Sequence, residues 1–109
     1  MNARKSPLER AVVKKILDHL RSRGAFCIKL HGSPFMIAGL PDIIGCYRGR
    51  FFAFEVKRDA TEKPTRLQLY YLERVRAAGG VAALTHSVEQ ASAELDRIDE
   101  GQEVPPHQS

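Results

Sequence analysis

Two apolar segments joined by a two-residue turn constrain the fold more than any other feature of this sequence. DIIGCY (residues 42–47) and RFFAFEVK (residues 50–57) are rich in aromatic and β-branched residues, which favour strands. Arg48-Gly49 between them is typical of the tip of a hairpin. We therefore expect two neighbouring strands that carry charged residues at their outer ends.

Helical and strand patterns along the rest of the chain complete the fold prediction. SPLERAVVKKILDHLRSRG is predicted to be a helix that Ser6 caps and Gly24 ends. TRLQLYYLERVRAAGG and SVEQASAELDRID are two further predicted helices, and AFCIKL and VAALTH are predicted strands. The expected order is α-β-β-β-α-β-α, an α/β fold with a mixed central sheet flanked by helices. The apolar stripe of the first helix is expected to comprise Leu8, Val12, Val13, Ile16, Leu17 and Leu20.

The length of 109 residues predicts one domain, over residues 1–98, followed by an acidic, disordered tail over residues 99–109. No apolar run is long enough to span a bilayer, and the first residues lack a signal-peptide stretch. We expect a protein of the cytoplasm with no membrane partner. Cys27 and Cys46 lie in predicted strands and are expected to be reduced and buried.

The distribution of charge favours a polyanionic partner. Residues 1–88 contain 16 Lys or Arg and 7 Asp or Glu, whereas residues 89–109 contain 1 and 6. The excess of basic residues in residues 1–88 favours nucleic acid as the partner, with acidic lipid as the second candidate. A solvated surface without a partner is the alternative, and charge alone does not identify a reaction.

Three charged residues at the strand ends suggest chemistry on phosphate. Side chains alternate along a strand, so Glu55 and Lys57 point to the same side, and an antiparallel pairing brings Asp42 close to Glu55. Two carboxylates at short range repel each other unless a cation lies between them, and oxygen ligands suit Mg²⁺ or Mn²⁺. A lysine beside such an ion fits phosphodiester hydrolysis. The alternative is a solvated ion pair at the end of an exposed strand.

These residues resemble a known nuclease superfamily. Pro41-Asp42 followed by Glu55-Val56-Lys57 is similar to the PD-(D/E)XK pattern, and residues 6–88 resemble its VRR-NUC branch in the short stand-alone form found in phages and prophages. The resemblance implies a restriction-endonuclease-like core and metal-dependent DNA cleavage in a bacterial or phage-infected cell. It also implies a homodimer similar to Holliday-junction resolvases, with Mg²⁺ or Mn²⁺ and no small-molecule cofactor.

The resemblance also implies roles for individual residues. Asp42 and Glu55 would be metal ligands together with the backbone carbonyl of Val56, and Lys57 would be the catalytic lysine.

Two further residues carry an implied role and a structural alternative. Glu9 would be an additional acidic ligand or lie just outside the ligands, and Gln68 would orient Lys57, the water or the phosphate. Each is also the third residue after a capping hydroxyl, Ser6 for Glu9 and Thr65 for Gln68, which favours a purely structural capping box. Both interpretations remain open at the level of sequence.

Basic residues near the predicted site and one loop serine are the candidates for contacts with the DNA backbone. For the loop residues His31 and Ser33, a plain loop role is the alternative. Phe35, Met36 and Ile37 in the same loop are either a dimer contact or part of the core. The candidates for DNA contact are Ser33, Arg48, Arg50, Arg58, Lys63 and Arg66.

The sequence thus favours a metal-dependent DNA endonuclease, selective for branched or Holliday-junction DNA and acting as a homodimer. The second hypothesis is a nucleic-acid-binding module with the same fold and weak or no catalysis. The third hypothesis is a small structural or interaction protein whose charged residues are solvated surface residues without a catalytic role.

Overall fold

The structure, a computed structural model, describes residues 5–30 and 37–101. Seven elements follow one another in the predicted order α-β-β-β-α-β-α. The helices are α1 (Pro7–Ser22), α2 (Arg66–Ala77) and α3 (Val88–Gly101), and the strands are β1 (Phe26–Lys29), β2 (Ile43–Tyr47), β3 (Arg50–Val56) and β4 (Val81–Thr85). The α/β fold expected from the sequence is therefore confirmed.

The four strands form one mixed sheet in the order β1-β2-β3-β4. β1, β2 and β3 are antiparallel neighbours, whereas β4 pairs with β3 in parallel after the crossover through α2. Arg48 and Gly49 form the hairpin tip with φ of 51° and 82°, which suits the tight turns that match the twist of a hairpin. Ile43 pairs with Phe54, so the chain just before β2 lies beside the end of β3.

The hydrophobic core fills the space between one face of the sheet and the pair α1 and α3. Phe52, Phe54 and Val56 alternate along β3 and belong to this core, together with buried residues of both helices. The rings of Phe52 and Phe54 stack with centroids 4.9 Å apart. The residues between them on β3 face the opposite side, where α2 contacts β3 and β4. Glu55 therefore lies on the α2 face of the sheet.

Helix α1 begins with the predicted capping box. The Ser6 hydroxyl accepts the Glu9 N–H, and the Glu9 carboxylate accepts the Ser6 N–H. The apolar stripe buries Val13 and Ile16 but leaves Leu8 60% exposed, so the expectation that Leu8 packs in the core is wrong. Leu8 lies in the first turn, on the part of the helix that faces solvent.

Two other sequence expectations are corrected. Cys27 is buried, but Cys46 is exposed, because it lies opposite Phe26 and Phe51 on a part of the sheet face that α2 does not cover. Helix α3 continues to Gly101, beyond the predicted start of the tail at residue 99. Residues 102–109 lie outside the described residues, and the disordered tail stays a prediction. No helix within the described ranges is long and apolar enough to cross a membrane.

Replacing Gly45 in β2 by alanine should destabilise the protein. A Cβ at this position would collide with the Phe26 carbonyl oxygen and approach the Cys27 Cβ and the Phe52 ring to 2.7 Å. We expect a loss of about 1–3 kcal/mol in the free energy of unfolding, measured by urea titration with circular dichroism. Gly101→Ala is the matched control, because no atom of the described residues lies within 4 Å of its added Cβ. Equal urea midpoints for the two variants would contradict the tight pairing of β1 and β2.

Candidate active site

The ends of two strands bring Asp42 and Glu55 together. Asp42 comes directly before β2, and Glu55 is the last residue but one of β3. The Val56 N–H donates to Asp42 Oδ2 at 2.7 Å, and the Leu30 N–H donates to the Asp42 carbonyl at 2.8 Å. Both the side chain and the backbone of Asp42 are therefore fixed by neighbouring strands.

The ammonium group of Lys5 lies at the centre of this cluster. Its Nζ is 2.9 Å from Glu55 Oε2, 3.1 Å from Asp42 Oδ2 and 2.8 Å from the Val56 carbonyl oxygen. One cation is thus in contact with oxygens of three of the four groups to which the family resemblance gave a metal-binding role, Asp42, Glu55 and the Val56 carbonyl. The carboxylates of Asp42 and Glu55 are close enough to share a single positive ion.

Lys57 and Gln68 form a second pair of contacts on Glu55. Gln68 Nε2 donates to Glu55 Oε2 at 3.0 Å, and Lys57 Nζ donates to Gln68 Oε1 at 3.0 Å. Lys57 Nζ is also 3.6 Å from Glu55 Oε2. The same Gln68 Oε1 accepts the Thr65 N–H at 2.9 Å in the capping box of α2. Gln68 therefore caps the helix and orients Lys57 at the same time, so the two interpretations of this residue are compatible.

Glu9 also combines a cap with a position at the site. Its Oε1 accepts hydrogen bonds from the Ser6 N–H at 3.1 Å and the Ser6 hydroxyl at 3.3 Å. Its Oε2 is 4.0 Å from Lys5 Nζ, and this buried oxygen has no hydrogen-bond donor among the described residues. Glu9 lies farther from the shared cation than Asp42 and Glu55, which places it at the edge of the cluster.

Burial and charge perturb the ionisation of the central groups. The Glu55 side chain is 1% exposed, and burial, followed by repulsion from Asp42, raises its pKa to about 7 even though Lys5 and Lys57 favour the charged form. Burial opposes protonation of Lys5, but attraction to Asp42 and Glu55 outweighs it and raises the pKa of that amine. The positive charge of Lys5 thus stabilises the ionised form of Glu55, and the carboxylates of Asp42 and Glu55 stabilise the charged form of Lys5.

The donor set of the cluster fits a hard divalent ion. Two carboxylates and one backbone carbonyl are oxygen ligands of the kind that Mg²⁺ and Mn²⁺ prefer. Glu55 Oε1 is a further buried oxygen without a hydrogen-bond donor in the described part of the chain. Within residues 5–30 and 37–101, no three Asp, Glu, His or Cys side chains converge as a ready-made metal cluster. Any ion held here would therefore depend on the Val56 carbonyl and on water as well.

Comparison with solved structures identifies the fold. A chain described as a VRR-NUC domain superposes with a TM-score of 0.68 and is 27% identical in sequence. The match covers 84% of this chain and 97% of that one. This chain has the VRR-NUC fold. The resemblance to the VRR-NUC family expected from the sequence is thereby confirmed. No protein-family model and no curated protein matches the chain.

Two charged residues of this candidate site were missed in the sequence. Lys5 precedes the helix cap, and the only signal in the pattern is its i to i+4 spacing from Glu9. Glu62, in the loop before α2, accepts the Arg58 N–H at 3.1 Å. The neighbouring Glu9 carboxyl is the main cause that lowers the pKa of Glu62. No local periodicity marks either residue, because the fold brings them to the site from separate segments.

The predicted DNA-contacting residues divide into two groups. Arg58, Lys63 and Arg66 are exposed and lie between the end of β3 and the start of α2, beside the candidate site. Arg48 and Arg50 lie at the hairpin tip, about five residues of strand or roughly 16 Å from Glu55. The prediction that these two flank the site is wrong, because the hairpin carries them to the opposite end of the sheet.

Contacts at that opposite end hold the two arginines in place. Arg48 Nε is 3.2 Å from Asp99 Oδ1, and Arg50 Nε donates to the Gly79 carbonyl at 2.7 Å. The other loop candidates, His31, Ser33, Phe35 and Met36, lie outside the described residues, and their roles stay predictions.

The raised pKa of Glu55 predicts a pH dependence of stability in the absence of metal. Between the ordinary pKa of 4.5 and the folded value of about 7, the unfolded chain loses the Glu55 proton first. The free energy of unfolding therefore falls as the pH rises through this window. We expect Glu55→Gln to gain on the order of 2–3 kcal/mol relative to wild type between pH 4.5 and pH 7.5, in EDTA.

Urea titrations of both proteins across this pH range measure the difference. Glu100→Gln, which alters an exposed carboxylate of α3, is the control and should run parallel to wild type. A difference between Glu55→Gln and wild type that does not change with pH would contradict the raised pKa that burial and Asp42 give to Glu55.

Proposed function

We propose that this protein is a divalent-metal-dependent DNA endonuclease that hydrolyses phosphodiester bonds. The observation that carries the proposal is the convergence of Asp42 Oδ2, Glu55 Oε2 and the Val56 carbonyl on one positive charge, each within 3.1 Å of it. Lys57 lies beside this point, as hydrolysis of a phosphodiester would require. The VRR-NUC fold supports a nuclease in general.

Asp42, Glu55 and the Val56 carbonyl would hold Mg²⁺ or Mn²⁺. When bound there, the ion would lower the pKa of the attacking water and offset negative charge on the phosphate. The rigid backbone contacts of Asp42 keep its carboxylate at the end of the sheet, so little reorganisation is needed on binding. Glu9 would act from the edge of the cluster, through water or by its charge.

Lys57 supplies positive charge where the phosphate gains negative charge. Its ammonium is buried, and a buried charge interacts more strongly than one in water because screening is weaker. Gln68 holds the ammonium through its Oε1 and holds Glu55 through its Nε2. We assign Gln68 a positioning role, since the amide fixes the distance between the lysine and the carboxylate.

The exposed arginines and lysine beside the site would contact the DNA backbone. Arg58, Lys63 and Arg66 form this basic rim, and each contact with a phosphate would weaken as salt is added. Ser33 stays a candidate for the same role, whereas Arg48 and Arg50 would reach only DNA that extends to the hairpin tip. Such a DNA-processing protein would act in the cytoplasm of a bacterial or phage-infected cell.

Paired cleavage of a Holliday junction would use two active sites, and a homodimer would supply them. The sheet face beyond α2 supplies an apolar surface that supports this part of the proposal. Phe26 is 69% exposed, and Ile28 and Phe51 on the same face are also exposed. Exposed apolar patches of this kind mark protein contacts.

Cleavage assays test the catalytic proposal. Junction, flap, linear and single-stranded DNA are incubated with Mg²⁺, Mn²⁺ or EDTA. We expect cleavage only with metal and fastest on junctions or flaps. Glu55→Ala and Lys57→Ala should each lower the rate by about 100-fold or more, because each removes charge stabilisation from the transition state. Gln68→Ala should have a smaller effect, since it only positions Lys57.

Lys14→Ala is the control for loss of a positive charge, since Lys14 is exposed on α1 and pairs with Asp18 at 2.9 Å. Cleavage that persists in EDTA, or in both active-site variants, would refute the assignment of the site. DNA binding without cleavage under any metal condition would favour the alternative, a nucleic-acid-binding module with the same fold.

Light scattering tests the homodimer. At micromolar concentration we expect a mass of ~24 kDa, twice the 12.2 kDa of one chain. Phe26→Lys should shift the mass to that of a monomer, because it places a charge on the exposed apolar sheet face. Leu8→Lys alters a comparably exposed apolar side chain on α1 and should leave the dimer intact. A monomeric mass for the wild type would remove the two-site part of the proposal.

A further inference from the structure

We propose that Lys5 is a tethered competitor for the metal site, which occupies the site until a divalent ion displaces it. The inference rests on the proposed function, because it concerns the regulation of the same site. It assigns a role to a residue that precedes the first helix and to which the catalytic proposal gives no part in hydrolysis.

The contacts of Lys5 match those of a bound cation. An ammonium group has three N–H donors, and Nζ of Lys5 has three oxygen partners at 2.8–3.1 Å. The side chain is only 16% exposed, so the charge has been largely withdrawn from water. Burial of a lysine charge is unfavourable unless other interactions offset it. Here the offset is that Lys5 neutralises Asp42 and Glu55 and relieves the repulsion between them.

Occupation by Lys5 and occupation by a metal ion exclude each other. The three oxygens around Nζ are the same three that would hold Mg²⁺ or Mn²⁺, and two cations at one point repel strongly. When a binding-competent state is only partly populated, the apparent affinity for the ligand falls by that fraction. If Lys5 held the site nine-tenths of the time, the apparent metal affinity would be about tenfold weaker.

The position of Lys5 in the chain permits the exchange. Lys5 lies before the cap residue Ser6, outside the hydrogen-bonded body of α1. Its carbonyl oxygen accepts a hydrogen bond from Arg10 Nη1 at 2.8 Å, so the backbone is anchored while the long side chain carries the charge. Rotation of that side chain toward solvent vacates the site without disturbing a strand. Lys57 differs, because its backbone N–H is bonded to Thr85 and its ammonium to Gln68.

Lys5 also leaves part of the cluster unsatisfied. Glu55 Oε1 and Glu9 Oε2 are buried and lack hydrogen-bond donors among the described residues. A monovalent ammonium with three donors cannot serve these additional oxygens, whereas a divalent ion brings twice the charge and bound water. The exchange therefore favours the metal once its concentration is high enough, and Lys5 sets that threshold.

Titration of Mn²⁺ without DNA tests the competition directly. Free Mn²⁺ is followed by electron paramagnetic resonance in wild type and in Lys5→Met, which removes the charge and keeps most of the side-chain volume. We expect Lys5→Met to bind Mn²⁺ about tenfold more tightly or better. Lys5→Arg, which keeps a cation at this position, should bind as weakly as wild type. Lys14→Met is the matched control and should not change the affinity.

The outcomes separate this inference from the proposed function. Equal affinities for wild type and Lys5→Met, or weaker binding by Lys5→Met, would overturn the competition and leave the metal site standing. If neither protein bound Mn²⁺, the proposed metal-dependent nuclease would fall and the competition with it.

The wild-type protein offers a second measurement that does not depend on the folding of a variant. Reductive methylation followed by peptide mass spectrometry reports how accessible each lysine amine is. In EDTA we expect Lys5 to be protected, and saturating Mg²⁺ should raise its rate of modification several-fold. The rate at Lys14 should stay constant. A rate at Lys5 that does not respond to Mg²⁺ would overturn the inference.

Discussion

The repulsion between two carboxylates at the end of one sheet is the constraint on which the rest of the site depends. Asp42 is held by backbone hydrogen bonds beside Glu55, and burial of Glu55 removes the water that would otherwise weaken the repulsion. Charge compensation must therefore come from the chain or from a bound ion. Lys5, Lys57 and the amide of Gln68 all converge on the Glu55 carboxylate for this reason.

The N-termini of two helices supply the supporting residues. Glu9 and Gln68 each close a capping box, and the second oxygen of Glu9 and the amide nitrogen of Gln68 lie toward the cluster. Helix N-termini carry a partial positive charge, so their placement next to the carboxylates is electrostatically favourable. The same hydrogen bonds that begin α1 and α2 thus also fix the geometry of the site, and the structural and functional interpretations of these residues coincide.

Much of the fold was predictable because its signals are local. The alternation in residues 50–57, the turn at Arg48-Gly49 and the two capping boxes each depend on neighbours within a few residues. The errors came from tertiary contacts. Leu8 and Cys46 fit their local patterns, but whether a side chain is buried depends on which face the rest of the chain covers. Arg48 and Arg50 are close to the site in sequence, yet a strand of seven residues separates them from it in space.

By itself, the sequence determined the order of the elements and the identity of the central charges Asp42, Glu55 and Lys57. These depend on periodicity and on the alternation of side chains along a strand, which act over short distances. Only the tertiary structure decided that Lys5 lies among those charges and that Glu62 lies beside Glu9. Lys5 and Glu55 are fifty residues apart in the chain. No local pattern encodes such a contact, because it forms only when α1 packs on the sheet and carries the preceding residue to the ends of the strands.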